Sequence, residues 1–139
     1  MAKRLSFDVI TVTGKRKRAL AKATIQSGNG EIKINSRPIA FLSEFRRLYL
    51  LEPIRILEHQ SMPLNFNISV KVSGGGTEGQ VEAARLSIAR ALIKFTKSQD
   101  LKKIFLSYDR NMLIQDTRHK EAYKPNDSKA RAKRQKSYR

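Results

Sequence analysis

The chain has 139 residues, of which 29 are Lys or Arg, 12 are Asp or Glu and none is Cys, giving a net charge of +17. The length fits one domain. The missing thiols exclude a disulfide scaffold, a thiolate metal site and a Cys nucleophile, and no stretch approaches the ~18 apolar residues of a spanning helix.

So much like charge repels itself in a compact monomer and points to a polyanionic partner, nucleic acid ahead of an anionic membrane surface. The charge is also uneven: +6 in residues 1–22, +4 in 23–109 and +7 in 110–139. Two basic arms flank a middle of nearly ordinary composition.

In chain order, Met1 to Asp8 is basic, with Asp8 breaking the apolar run and no small-residue cleavage site behind it. A secretory signal is therefore not expected, and the cytosol is the expected compartment. Phe7 to Thr13 is apolar and β-branched, a predicted strand. Gly14-Lys15-Arg16-Lys17-Arg18 then sets four cations in a row, read as a clamp for a phosphate backbone rather than a merely solvated run. Ala19 to Gln26 alternates Ala19, Ala21, Ala23 and Ile25 with polar residues, the period of a half-buried strand. Ser27 to Gly30 supplies turn residues and Glu31 to Asn35 resumes the alternation, so the two segments predict a β-hairpin.

Pro38 fits the first turn of a helix, and Ser43 to Leu50 is helical in pattern, with Pro53 ending that helix or starting another over Ile54 to Glu58. Phe66, Ile68, Val70 and Val72 alternate with Asn67, Ser69 and Lys71 and predict a strand ended by Gly74-Gly75-Gly76. A long helix should follow, with Thr77 as its cap and Gln80 at capping-box spacing. Its core stripe is Val81, Ala84, Ile88, Ala91, Leu92 and Phe95, and Glu82 is expected to pair with Arg85. Leu101 to Phe105 predicts a short further helix. Pro125 to Arg139 holds no Val, Ile, Leu, Met or Phe, too little apolar surface to order by itself.

Little here suggests catalysis. Gly74, Gly76 and Gly79 fit a G-x-G-x-x-G spacing between strand and helix, where free N–H groups attract anions. Asp100, however, follows a helix and not a second parallel strand, and Gln80 and Val81 stand where a kinase-type phosphate loop needs Lys and a hydroxyl. His59 and His119 lie in separate segments with no metal or triad spacing. No catalytic residue, metal site or cofactor is expected. In the tail, interspersed cations can meet phosphates and Tyr138 can stack on a base or ribose.

These residues carry a resemblance. Thr13-Gly14-Lys15-Arg16-Lys17-Arg18 with Gly28 to Asn35, the Val72 to Gln80 loop with Ala84 to Leu92, Tyr108-Asp109-Arg110, Asp116-Thr117-Arg118 and the tail from Ser128 resemble, in order and over nearly the whole chain, the family of the ninth protein of the small ribosomal subunit. The Gln135-Lys136-Ser137-Tyr138-Arg139 ending is similar to its archaeal and eukaryotic branch.

The resemblance implies an α+β two-layer sandwich, with a sheet of about four strands packed on helices through a left-handed βαβ crossover. Residues 1–110 would form the RNA-binding body and 111–139 an extended basic tail. It implies a non-catalytic role, with the body on ribosomal RNA in the subunit head beside neighbouring head proteins, the tail at peptidyl-site transfer RNA, and no membrane partner. The ribosomal-RNA residues expected are Lys15, Arg16, Lys17, Arg18, Gly74, Gly75, Gly76, Arg85, Arg90, Arg110, Arg118, Lys129, Arg131, Lys133 and Arg134. The transfer-RNA residues expected are Lys136, Ser137, Tyr138 and Arg139. The other readings open to the sequence are a free-standing, chromatin-type DNA- or RNA-binding protein and a phosphotransferase built on the Gly74 loop.

Overall fold

The structure is a computed structural model that describes residues 9–126, 129–133 and 135–138. Phe7 and Asp8 of the first predicted strand, and Arg134 and Arg139 of the expected RNA contacts, lie outside the described residues.

Among the described residues, five strands make one mixed sheet: β1 (Ile10–Arg16), β2 (Ala19–Ser27), β3 (Ile32–Ile34), β4 (Arg37–Pro38) and β5 (Phe66–Ser73). Three α-helices among the described residues form the second layer, with α2 against the sheet: α1 (Glu44–His59), α2 (Thr77–Thr96) and α3 (Gln99–Tyr108). This is the expected α+β two-layer sandwich, its sheet widened by the two-residue β4. No described helix is long and apolar enough to cross a membrane.

The sheet order is β1-β2-β5-β3-β4. β1 and β2 are antiparallel from Ile10 opposite Ile25 to Arg16 opposite Ala19, so the chain turns tightly through Lys17 and Arg18. Lys17 takes φ 52° there, the left-handed region that non-glycine residues enter at a cost. The predicted hairpin of β2 with β3 does not form. β5 pairs antiparallel with β2 and parallel with β3 and so lies between them. The turn residues bond to the incoming β5 chain: Gly28 N donates to Asn65 O, Gly30 N to Phe66 O, and the Asn67 carboxamide accepts from Asn29 N and Glu31 N. Alternation showed that β2 and β3 were half-buried strands, but period 2 does not specify a partner.

Pro53 neither ends nor starts a helix: α1 runs through it, and Pro53 is buried with Leu50, Ile54 and Leu57. Burial of that stripe outweighs the hydrogen bond that a proline cannot donate. Pro38 likewise sits in an edge strand and leads only into a short 3-10 turn, Ile39–Phe41. At α2 the cap is Gly76 and not Thr77, which is already helical. Gln80 turns back to donate from Nε2 to Gly74 O at 3.0 Å.

α2 is the centre of the body. It packs on β1, β2 and β5 and against α1, and it is buried from Ala83 to Ala89, with Ala91 and Leu92. Phe66 of β5 meets Phe95 edge-on, ring centres 5.9 Å apart. Met112 and Leu113, after α3, are buried in the same core.

So close an approach of helix to strand needs a missing side chain. A Cβ on Gly14 would stand 2.4 Å from Ala83 O and 2.9 Å from Ser87 N, both backbone. Gly14→Ala is therefore expected to cost about 1–3 kcal/mol, as overpacking does, while Gly76→Ala, with nothing within 4 Å of the added carbon, should cost less, only the preference for glycine over alanine at a helix cap. Urea unfolding of the two variants checks the contrast.

Candidate nucleic-acid interface

The first basic run forms the end of the β1–β2 hairpin. Lys15, Lys17 and Arg18 are exposed, and none of the three enters an ion pair among the described residues. Arg16 differs: its guanidinium is bonded by both Glu82 of α2 and Asp116 beyond α3. The clamp reading thus divides, with three cations open to solvent and the fourth bound to the protein. The Arg16 guanidinium is held above its ordinary value, chiefly by the hydrogen bond that its Nε donates to Glu82.

The glycine loop abuts this hairpin. Gly74 and Gly75 have φ of 72° and 65°, and a Cβ on either would meet the Arg18 carbonyl at 2.7 Å or Ala19 N at 2.8 Å. Their backbone passes tightly over the chain's own turn. Gly76 is open. Glu78, in the first turn of α2, is bonded by Arg46 at 2.8 and 3.0 Å. A loop closed by Gln80 and carrying a paired carboxylate is a poor cradle for a nucleotide phosphate.

Arg85 and Arg90, expected on the RNA side, have protein partners. Arg85 is 4% exposed. Its Nη1 donates to Asp109 at 2.7 Å and to the Tyr49 hydroxyl at 3.2 Å, and its Nη2 stands 2.6 Å from Glu52 Oε2. The guanidinium also lies 4.5 Å from the centre of the Tyr49 ring. Tyr108 completes the set by donating to Glu52 at 2.7 Å. The expected Glu82–Arg85 pair is therefore replaced: Glu82 goes to Arg16, and Arg85 takes carboxylates from α1 and from beyond α3. Arg90 bonds the carbonyls of Leu113 at 2.8 Å and Thr13 at 3.1 Å.

Sequence reasoning missed Glu52, Tyr49 and the bonding of Asp116 to Arg16. The available signal was the pair of Asp-containing stretches, which adopt one device twice. Asp109 accepts from Asn111 N with one oxygen and bonds Arg85 with the other. Asp116 accepts from Arg118 N and bonds Arg16. Burial raises the pKa of Asp109, but Arg85 and the Asn111 N–H outweigh it and hold the carboxyl below its ordinary value. The Arg118 N–H, then Arg16, do the same for Asp116.

Arg110 is exposed beside this cluster, and Arg118 is exposed 3.8 Å from Asp116. Arg18 and Lys120 to Tyr123 line one shallow cleft, so the start of the tail runs beside the hairpin tip. Farther on, Lys129, Lys133, Lys136, Ser137 and Tyr138 are exposed, and Arg131 pairs with Glu121 at 3.0 Å. The described tail residues beyond Met112 form no helix or strand.

A family model described as ribosomal protein S9/S16 matches residues 14–139. Proteins named small ribosomal subunit protein uS9 are similar over nearly full length. That of Picrophilus torridus is 47% identical over 133 residues, covering 95% of this chain and 98% of the relative. Those of Methanococcus maripaludis and Thermoplasma volcanium are each 41% identical, covering 96% of this chain and 100% of the relative.

The Arg85 cluster sets a pH dependence. A carboxyl whose pKa is lowered on folding adds stability above its unfolded value, near 4, and that stability is lost as pH falls through the lowered folded value. The melting temperature should therefore fall more steeply below about pH 4 in the native chain than in Asp109→Asn. Arg85→Ala, which strands two carboxylates that are each 29% exposed, should cost about 3 kcal/mol at neutral pH, the low end for a broken buried pair. Acid titration of thermal unfolding and urea melts measure both.

Proposed function

Because the chain belongs to the ribosomal protein S9/S16 family, we propose that it works as a structural, non-enzymatic constituent of the small subunit of the cytoplasmic ribosome. In the finer reading its body binds ribosomal RNA in the subunit head, beside neighbouring head proteins, and its tail reaches peptidyl-site transfer RNA. The observation that carries this reading is the division of labour among the cations. Lys15, Lys17 and Arg18 at the hairpin tip, with Lys129, Lys133 and Lys136 in the tail, face solvent, while Arg16, Arg85 and Arg90 are bound within the body.

Exposed cations carried on a short turn and a chain without secondary structure suit the irregular surface of a folded RNA, and phosphate contacts then supply much of the affinity. Tyr138 is 87% exposed and offers a face for stacking. Arg139, outside the described residues, takes its expected role near the anticodon stem-loop from the resemblance alone. Gly76 is the one member of the glycine loop with room for an RNA backbone to approach.

A free-standing, chromatin-type nucleic-acid binder is the alternative. Sedimentation of lysates at physiological salt separates the two: the chain is expected in the small-subunit peak, and a chain found mainly outside it would overturn the ribosomal reading.

The arms should also separate genetically. Deleting Lys136 to Arg139 is expected to leave incorporation into the small subunit intact and to weaken peptidyl-site transfer-RNA binding; failed incorporation would make the tail an assembly element. Neutralising Lys15, Lys17 and Arg18 together should weaken RNA binding without lowering the melting temperature.

A further inference from the structure

Among the described residues, no layer lies over one face of the sheet. The helices cover the side that bears Ala21, Ala23, Ile25, Ile68 and Val70, all buried. The other side presents Thr11, Thr13 and Lys15 from β1, Leu20, Lys22 and Thr24 from β2, and Ser69 and Lys71 from β5. Among these residues Leu20 is the only large apolar side chain, and none is aromatic or acidic. A hidden protein partner would call for an apolar centre, and base stacking would call for aromatic rings. A surface of lysines and hydroxyls suits a phosphate backbone instead.

The pairing register sharpens this. Thr13 stands opposite Lys22, and Lys22 stands opposite Lys71. Side chains directly opposite on one face are about 5 Å apart at Cβ, and like charges so placed destabilise a sheet. No carboxylate among the described residues pairs with either lysine. The five strands together contain Lys15, Arg16, Lys22, Lys33, Arg37 and Lys71 and not one Asp or Glu. Lys33 pairs with Glu31 at 2.8 Å; Lys22 and Lys71 have no ion-pair partner among the described residues.

We propose that this open face is a second ribosomal-RNA contact of the body, in which Lys22 and Lys71, opposed across β2 and β5, hold backbone phosphate between them. Thr13, Thr24 and Ser69 supply hydroxyl donors beside it. The proposal rests on the reading of the body as RNA-binding and deepens it. The face is continuous with the hairpin tip through Lys15, so one RNA strand can run from Lys17 and Arg18 down the sheet.

The test uses the full chain and small-subunit ribosomal RNA, with affinity measured across a range of salt. Lys22→Gln/Lys71→Gln is compared with Lys94→Gln/Lys102→Gln, which removes the same charge from exposed positions on α2 and α3. Each lost phosphate contact lowers the slope of log affinity against log salt by about 0.9. The sheet variant should lose about two units of slope and weaken at least about tenfold at 0.1 M salt, with its melting temperature unchanged or raised as the opposed charges are removed. The helix-layer variant should keep the native slope. If the two variants behave alike while neutralised Lys17 and Arg18 still lower the slope, the sheet site is wrong and the RNA-binding body stands. If the native chain itself shows no salt-dependent RNA binding, both fall.

Discussion

A buried guanidinium at the middle of the most buried helix constrains the whole helical layer. Taking the charge of Arg85 out of water is costly unless carboxylates surround it, and Glu82, the α2 carboxylate three residues before it, is bonded to Arg16 instead. The charge is met by Glu52 from α1 and by Asp109 from the end of α3, with the Tyr49 ring and hydroxyl at its side. α1 and α3, which both pack on α2, are thereby fixed relative to it and to each other. Breaking any one pairing leaves a charge in a poor environment, so the arrangement is more specific than apolar packing alone would make it. Pro53 fits the same account. Pro53 directly follows Glu52, and a helix break there would move the carboxylate that Arg85 needs.

The second Asp device extends this order outward. Asp116 closes a turn on Arg118 N and bonds Arg16, the last residue of β1. The root of the tail is thus tied to the root of the hairpin, and Lys120 to Tyr123 pass beside Arg18. Charge counting along the chain separates the basic residues into two arms, but in space the arms leave from one corner. The glycine loop belongs to the same corner, where Gly74 and Gly75 make room for the Arg18–Ala19 backbone. Its resemblance to a phosphate loop reflects a strand-to-helix turn that needs positive φ, a need shared by folds with no nucleotide to bind.

Much of this was legible in the sequence. The alternation in β2 and β5, the length of α2 and the chemistry of the tail are local properties, and local properties are written locally. Strand order was not legible, because Ile32 and Ile34 would alternate in the same way beside β2 as beside β5. Nor were the ion pairs. Glu82 and Arg85 lie at a good helical spacing, but their side chains diverge toward different partners, and only the packing of α1 and α3 decides which. Thr77 lost the cap to Gly76 by one residue because the glycine turn ends where the helix begins. Among the site residues, burial was the hidden variable. Nothing in the local sequence distinguishes Arg85, sealed in the core, from Arg18, open to solvent.

The charge of the middle segment shows how an average hides a pattern. Residues 23–109 have a net charge of only +4 and eight acidic residues. Seven of those eight, all but Glu31, lie in the helices or at Asp109, directly after α3. There they neutralise Arg16, Arg46 and Arg85, whose planar, multiply donating heads suit fixed pairs inside a protein. The strands have no carboxylate, and on the open face of β1, β2 and β5 the cations are lysines, compact charges on flexible stems that adapt to a phosphate wherever it comes. The body is therefore polarised across its two layers: the helical side is balanced internally, and the sheet side is left positive. A polyanion that approaches meets the uncompensated face first, and the same separation leaves Lys22 and Lys71 opposed until something negative lies between them.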